Sequence, residues 1–229
     1  MLKPKKKISK KEIKEDKLVT TYYEATTWYE SNKKLVNGIV TGVIVLAIAA
    51  FAYSNNVSSN NRKANTELGK ILRYYDQGQY DLAINGNLQE GARGLQAIVD
   101  DYGSTKAGEL ARFYLANAYY GQRDYDKAMQ NFLDVSFSDD LISSSALAGA
   151  GACYEAKGDH EKAASYYEKA ALKHGKAVTV AENLFHAAQN YAAAGNKEKA
   201  LDLYKKVKKE FPTSSYARDI DRWIAGASS

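Results

Sequence analysis

The fold is decided by three stretches that share one pattern: LANAYYGQRDYDKAMQNF (115–132), AGACYEAKGDHEKAASYY (150–167) and AAQNYAAAGNKEKALDLY (187–204). In each stretch a small residue stands second, a tyrosine fifth, an alanine fourteenth and an aromatic residue eighteenth. The fifth-position tyrosines are Tyr119, Tyr154 and Tyr191, which are 35 and 37 residues apart. A sustained period of this length, in a chain with only two prolines, predicts an all-α fold of stacked helical hairpins.

The residue types within the pattern agree with that prediction. Small residues at matched positions let the two helices of a hairpin approach closely, and the aromatic residues fill the space between hairpins. The turns Lys157-Gly158-Asp159 and Ala194-Gly195-Asn196 each offer a glycine that ends one helix and a polar residue that begins the next. Pro212 predicts the end of the last repeated helix.

This pattern resembles the tetratricopeptide repeat (TPR), whose period is about 34 residues. We therefore expect a right-handed α-solenoid of TPR type over residues 63–229, with three clear repeats preceded by one irregular unit. In that unit residues 74–83 parallel 119–128, but the pattern breaks after Ala83, which predicts an insertion there. Beyond Pro212 an apolar stripe predicts a C-terminal capping helix, which a solenoid needs to cover its last face. The stripe consists of Tyr216, Ile220, Trp223 and Ile224.

A second feature, the segment Leu35–Tyr53, carries no charge over 19 residues. As a helix it would measure about 28 Å, close to the thickness of a bilayer's hydrocarbon core. Both flanking regions are polar, which favours a single transmembrane helix at 35–53 over a buried core helix. The Asn- and Ser-rich residues 54–62 are then expected to be a linker to the solenoid.

Residues 1–34 form a lysine-rich arm that sets the direction of this helix. The arm holds ten lysines against five acidic residues, which accounts for the chain's whole net charge of +5. By the positive-inside rule the arm is cytoplasmic and residues 54–229 lie across the membrane. Its aromatic residues near the span fit an amphipathic helix on the headgroups, but a solvated tail or a contact with a cytoplasmic protein fits as well.

Composition also excludes several functions. The rest of the chain is net neutral, so no nucleic acid partner is expected. One cysteine, Cys153, and three scattered histidines give no spacing of metal ligands. The segment Gly149-Ala150-Gly151 lacks the third glycine of a dinucleotide loop and is better explained by close helix packing. We therefore expect no catalytic residues, no metal, no cofactor and no enzymatic activity.

The binding surface of a repeat array is expected on the first helix of each unit. On TPR geometry, three helices contribute residues to a groove for a partner polypeptide. The predicted groove residues are Leu110, Phe113, Asn117, Tyr120, Glu155, Glu182, Phe185 and Gln189, with the small residues Ala148 and Ala152 between them. The same side chains could instead pack on the insertion or on a second copy of the chain.

Beyond the repeats, the chain resembles YfgM-like membrane-anchored TPR proteins of the Bacteroidota type. The resemblance rests on the order of arm, span and repeats, and on Leu82-Ala83-Ile84-Asn85-Gly86, residues 101–108 and Asp139-Asp140. The arm departs from that pattern by its length and lysine content. The first helix of the irregular unit departs from it as well, with Glu67 and Lys70 where small and aromatic residues are usual.

The resemblance implies a bacterial inner-membrane protein with a periplasmic repeat domain. It further implies an ancillary subunit of the Sec translocon, or an adaptor of the periplasmic chaperone network that contacts exported polypeptides. The partners would then be a SecYEG-type translocon, a membrane-anchored periplasmic chaperone or an exported polypeptide. The alternative is a structural scaffold for an envelope complex, in outer-membrane biogenesis or cell-wall assembly.

Overall fold

The computed structural model describes residues 10–136, 139–173 and 177–228, which are helical almost throughout. The chain divides into two compact units, Met1–Asn56 and Val57–Ser229. The helices are α1 (Lys10–Asp76), α2 (Tyr80–Asn85), α3 (Leu95–Tyr102), α4 (Lys106–Gly121), α5 (Tyr125–Asp134), α6 (Asp140–Ala156), α7 (His160–Leu172), α8 (Ala177–Ala193), α9 (Lys197–Glu210) and α10 (Ile220–Ser228).

The first unit contains the N-terminal part of α1. Large apolar side chains along it, among them Ile44, Leu46 and Phe51, are exposed. By length and composition α1 is therefore a candidate membrane span. The expected amphipathic arm is also helical from Lys10 onward, although residues 1–9 lie outside the described part of the chain.

Residues 54–62, expected to be a linker, are helical and belong to α1. No proline or glycine occurs between Phe51 and Glu67, so nothing in the sequence interrupts the helix there. Within this segment the Asn61 side-chain oxygen accepts a hydrogen bond of 2.9 Å from the Ala107 amide at the start of α4. The asparagines thus include a residue that fastens α1 to the next helices, which composition alone does not indicate.

The second unit is the predicted solenoid. The C-terminal part of α1 with α2 forms the irregular leading unit, and α4–α5, α6–α7 and α8–α9 are the three repeats. Buried side chains of α1 share a core cluster with those of α3 and α4. The members on α1 are Ala64, Leu68, Ile71 and Tyr74, and those on α3 and α4 include Leu95, Ile98, Ala111 and Leu115. The first helix of the irregular unit therefore packs mainly through a leucine, an isoleucine and a tyrosine, with Ala64 as its one small residue in this cluster.

The predicted insertion after Ala83 forms a small antiparallel ladder of β1 (Gly86–Asn87) and β2 (Ala92–Arg93), joined by a 3-10 turn at Leu88–Glu90. The ladder is held to α1 by the ion pair of Arg73 with Glu90 and by a 3.0 Å hydrogen bond from the Asn87 amide to the Tyr74 hydroxyl. The insertion was expected from the broken pattern, whereas its strands were not.

The turns inside the repeats follow the sequence prediction. Gly158 and Gly195 adopt φ values of +78° and +84°, in the left-handed region that glycine enters at little cost. Directly after them, Asp159 and Asn196 accept hydrogen bonds at the starts of α7 and α9. In the first repeat Arg123 occupies the glycine position, with φ of +65°.

The capping helix is present as α10, preceded by a 3-10 turn at Ser215–Ala217. Ile220 is fully buried in a cluster with Leu184, Tyr204 and Val207 of the last repeat. The stripe predicted from the sequence therefore covers the end of the solenoid.

Candidate functional site

The first helices of the three repeats, α4, α6 and α8, border a cavity of about 330 Å³. We name it the groove cavity. Its lining is Phe113, Asn117, Ser144, Ser145, Ala148, Gly149, Ala152, Tyr167, Thr179, Glu182, Asn183 and His186. Apart from Tyr167 of α7, every lining residue comes from the helices that the repeat pattern assigned to the binding surface.

The structure brings together only part of the predicted groove. Phe113, Asn117 and Glu182 line the groove cavity, together with the small residues Ala148 and Ala152. Each of the three repeats thus contributes at least one predicted residue. The small side chains of α6 open the middle of the cavity, because they leave space between the larger residues of α4 and α8.

Three other predicted residues make contacts elsewhere. Leu110 is partly buried and packs against the core cluster of the first repeats. The Tyr120 ring lies 5.4 Å from that of Tyr125, and burial raises the pKa of the Tyr120 phenol above its usual value. Glu155 accepts a hydrogen bond of 2.9 Å from the Tyr167 hydroxyl. Glu155 thus acts on the groove cavity only through the tyrosine that it holds.

The last two predicted residues belong to the C-terminal end of the solenoid. The Phe185 ring is 5.4 Å from that of Tyr216 and 5.5 Å, edge-on, from that of Trp223. Gln189 lines a separate cavity beside α10. The capping helix and the 3-10 turn before it therefore cover the C-terminal part of the α8 face that the sequence analysis assigned to a partner, while Glu182 on the same face lines the groove cavity.

Polar groups of the groove cavity differ in how well they are satisfied. The Asn117 amide nitrogen donates to the Phe113 carbonyl at 2.8 Å, and the Ser144 hydroxyl donates to the Ala170 carbonyl at 2.8 Å. Asn183 is only 6% exposed, and its side chain has no hydrogen-bond partner within the described residues. Its amide is thus open to a ligand in the cavity, and each hydrogen bond formed there would contribute about 0.5–1.5 kcal/mol.

An aromatic pair forms one wall of the cavity. The His186 ring stacks on Tyr167 with centroids 5.2 Å apart and the planes 26° from parallel. Burial, followed by the neighbouring Glu155 carboxylate, raises the pKa of the Tyr167 phenol well above its usual value. Tyr167 therefore keeps its proton and remains a donor to Glu155.

As residues of this cavity, sequence reasoning missed Ser144, Ser145, Gly149, Tyr167, Thr179, Asn183 and His186. Ser144 precedes Ala148 by four residues, and His186 follows Glu182 by four, so extending the same helical face by one turn would have found both. No pattern in the sequence distinguishes Asn183, because its importance comes from burial without a partner.

Comparisons with known proteins agree with this architecture. A sequence profile described as a tetratricopeptide repeat-like domain matches residues 26–149, and two tetratricopeptide repeat profiles match residues 146–176 and 182–214. No curated protein matches the chain significantly.

Two similar solved structures are of a Podosopora anserina putative kinesin light chain with nearly identical TPR-like repeats. One of them, of a point variant, has 15% identity and a TM-score of 0.56, covering 72% of this chain and 84% of that one. The other has 16% identity and a TM-score of 0.54, covering 72% and 85%. At such identities the likeness concerns the fold alone. The tetratricopeptide repeat-like domain profile, by contrast, matches more than half of the residues of this chain, and the chain therefore belongs to that family.

Proposed function

We propose that the chain is a membrane-anchored adaptor whose groove cavity holds an extended segment of another polypeptide. The observation that carries the proposal is Asn183, a residue only 6% exposed that lines the cavity and whose amide has no hydrogen-bond partner in the described chain. An asparagine amide both donates and accepts, as does each residue of a peptide backbone. A bound backbone would therefore satisfy Asn183 whatever its side chains are.

Other groups of the cavity suit the same ligand. Asn117 uses its amide nitrogen within α4, which leaves its oxygen to accept from a backbone N–H. Glu182 adds a carboxylate, and the Tyr167–His186 pair adds an apolar surface for a side chain. The cavity thus offers polar groups to a peptide backbone and an aromatic surface to one of its side chains.

In its cellular setting, the adaptor is proposed to reside in the bacterial inner membrane, with its arm cytoplasmic and its solenoid periplasmic. The supporting observations are the lysines concentrated before the span and the resemblance to YfgM-like proteins. The bound polypeptide would be a SecYEG-type translocon subunit, a membrane-anchored periplasmic chaperone or an exported chain.

Crosslinking in intact membranes tests this role. A photo-activated residue at Ser145, inside the groove cavity, should capture translocon or chaperone subunits or exported chains, and the same residue at Asn131 on α5 should not. Capture of a single outer-membrane or cell-wall assembly factor at constant ratio would instead support a scaffold. Equal capture at both positions would contradict a role for the cavity.

A matched pair of variants tests the amides themselves. Asn117→Ala with Asn183→Ala should weaken capture of the partner at least about tenfold, the effect of losing roughly 1.4 kcal/mol. Asn131→Ala is the control, since its amide also donates to the carbonyl four residues earlier, at 2.9 Å, but does not line the cavity. Circular dichroism should show unchanged helix content in both. Unaltered capture by the double variant would exclude the amides as ligands.

A further inference from the structure

A second cavity, of about 500 Å³, lies between α8, α9 and α10 and shares no lining residue with the groove cavity. We name it the cap cavity. Its lining includes Gln189, Lys197, Tyr204, Arg222 and Trp223. The volume is in the range that small organic ligands occupy in proteins.

Two cationic side chains border the cap cavity, and one of them, Lys197, also borders a neighbouring cavity lined by Glu161 and Glu198. Lys197 and Arg222 both line it, and neither forms an ion pair within the described residues. By contrast, Lys127 and Lys162 are paired with the aspartates that cap their own helices. Lys197 is also the first residue of α9, so the positive end of a 14-residue helix dipole lies at the same place. An anionic group entering the cavity would be attracted by all three.

The remaining wall is aromatic. Trp223 is 41% exposed, which leaves much of the indole open to a ligand. Two aromatic side chains of the solenoid hold the indole in place, because its ring lies 6.1 Å from that of Tyr204 and 5.5 Å from that of Phe185. Tyr204 is 1% exposed, and its buried hydroxyl has no hydrogen-bond partner within the described residues. Because the Trp223 indole is exposed, the aromatic ring of a ligand could stack on it while the ligand's negatively charged group contacts Lys197 and Arg222.

We propose that the cap cavity binds an aromatic carboxylate, with the acid held by Lys197 and Arg222 and the ring on Trp223. The planar fork of arginine matches the two oxygens of a carboxylate, and the tryptophan provides the surface that distinguishes an aromatic acid from a bare anion. The chemistry could come from a free small acid or from an aromatic residue at the C-terminus of a polypeptide. This site is independent of the function proposed for the groove cavity.

The test uses the full chain in detergent, carrying Trp28→Phe so that Trp223 is the only tryptophan. N-acetylphenylalanine should change the Trp223 emission saturably and release heat in calorimetry. Its amide, which lacks the negative charge, should bind at least about tenfold more weakly. Equal binding of acid and amide, or no binding of the acid at millimolar concentration, would refute the proposal.

Variants of Lys197 and Arg222 test whether these two cations bind the carboxylate, and a short peptide tests whether the ligand is a free acid or a polypeptide C-terminus. Lys197→Gln and Arg222→Gln should each reduce affinity about tenfold. Arg218→Gln, an exposed cation outside the cavity, should leave it unchanged. If affinity survives both cavity variants while their helix content is intact, the assignment is wrong. Binding of Gly-Gly-Phe as tight as that of N-acetylphenylalanine would identify a polypeptide C-terminus as the source, and binding of the small acid alone would identify a free metabolite.

Discussion

At the scale of single residues, Gly149 shows how the repeats reach their close packing. A Cβ atom at this position would lie 2.5 Å from the ring of Phe132, a side chain that is 4% exposed and packed in the core. We expect Gly149→Ala to lower the free energy of unfolding by about 1–3 kcal/mol, the usual effect of overpacking. Urea denaturation followed by circular dichroism measures it.

The matched control is Gly69→Ala on α1, where an added Cβ would meet nothing within 4 Å. There alanine's better helix propensity should raise the free energy of unfolding by about 0.5–1 kcal/mol. Opposite signs for the two substitutions would separate packing from propensity. A stabilising Gly149→Ala would mean that the approach of α5 and α6 is looser than described.

Arg123 is a second residue whose effect can be measured. It is the one non-glycine residue with positive φ in the described chain, and it stands where the other repeats have Gly158 and Gly195. The left-handed conformation costs a non-glycine residue about 1–2 kcal/mol, partly offset by the greater unfolded-state entropy of glycine. Arg123→Gly should therefore raise the free energy of unfolding by about 0.5–1 kcal/mol in urea denaturation. No change, or a loss, would show that the arginine side chain stabilises the turn.

At the scale of elements, the helix caps predict a dependence on pH. Asp124 caps α5, and the hydrogen bond from the Lys127 side chain, aided by the backbone N–H of Lys127, lowers the pKa of its carboxyl group. Because the folded-state pKa lies below the unfolded one, this stabilisation is present at neutral pH and is lost as pH falls through the folded-state value. Asn196 caps α9 in the same way without titrating.

We therefore expect Asp124→Asn to retain the cap while losing less stability than the wild type between neutral pH and about pH 3. The converse substitution, Asn196→Asp, should make α9 more sensitive to acid. Urea midpoints measured across that range provide both comparisons. Identical pH profiles for all three proteins would show that these caps do not couple to acid unfolding.

The elements also show which features a sequence can predict. The turns at Gly158 and Gly195, the stripe around Ile220 and the break after Ala83 were all predicted correctly, because each depends on local chemistry or on the period. The place of Phe185 was not, since it depends on how α10 folds back over α8. Helix periodicity gives the face of a residue but not the neighbour that covers it.

At the scale of the whole molecule, the same distinction separates the two cavities from the fold. Five of the groove-cavity residues were identified from repeat geometry, yet the unpartnered Asn183 was not, because burial is a property of the assembled helices. The cap cavity likewise unites Lys197 with Arg222, which are 25 residues apart and share no motif. A repeat pattern therefore predicts where a surface lies, while its chemistry depends on the tertiary packing.

The last prediction concerns the second unit as an independent domain. The buried hydrophobic core of the described chain begins at Ala64, so removing residues 1–56 removes none of it. A fragment beginning at Val57 should be soluble, helical and cooperative in thermal unfolding. A fragment beginning at Tyr80 lacks four core side chains of α1, among them Leu68 and Ile71. Burial of a large apolar side chain such as these two contributes about 1.5–3 kcal/mol to the free energy of unfolding.

The shorter fragment should therefore aggregate or lose its cooperative transition, because α3 and α4 would expose the surface that α1 covers. Size-exclusion chromatography and circular dichroism distinguish these outcomes. If the fragment from Tyr80 is as stable as that from Val57, α1 is not the first helix of the solenoid. If neither folds while the full chain does, the apolar first unit is required for the stability of the repeats, and the boundary at Asn56 does not separate independent domains.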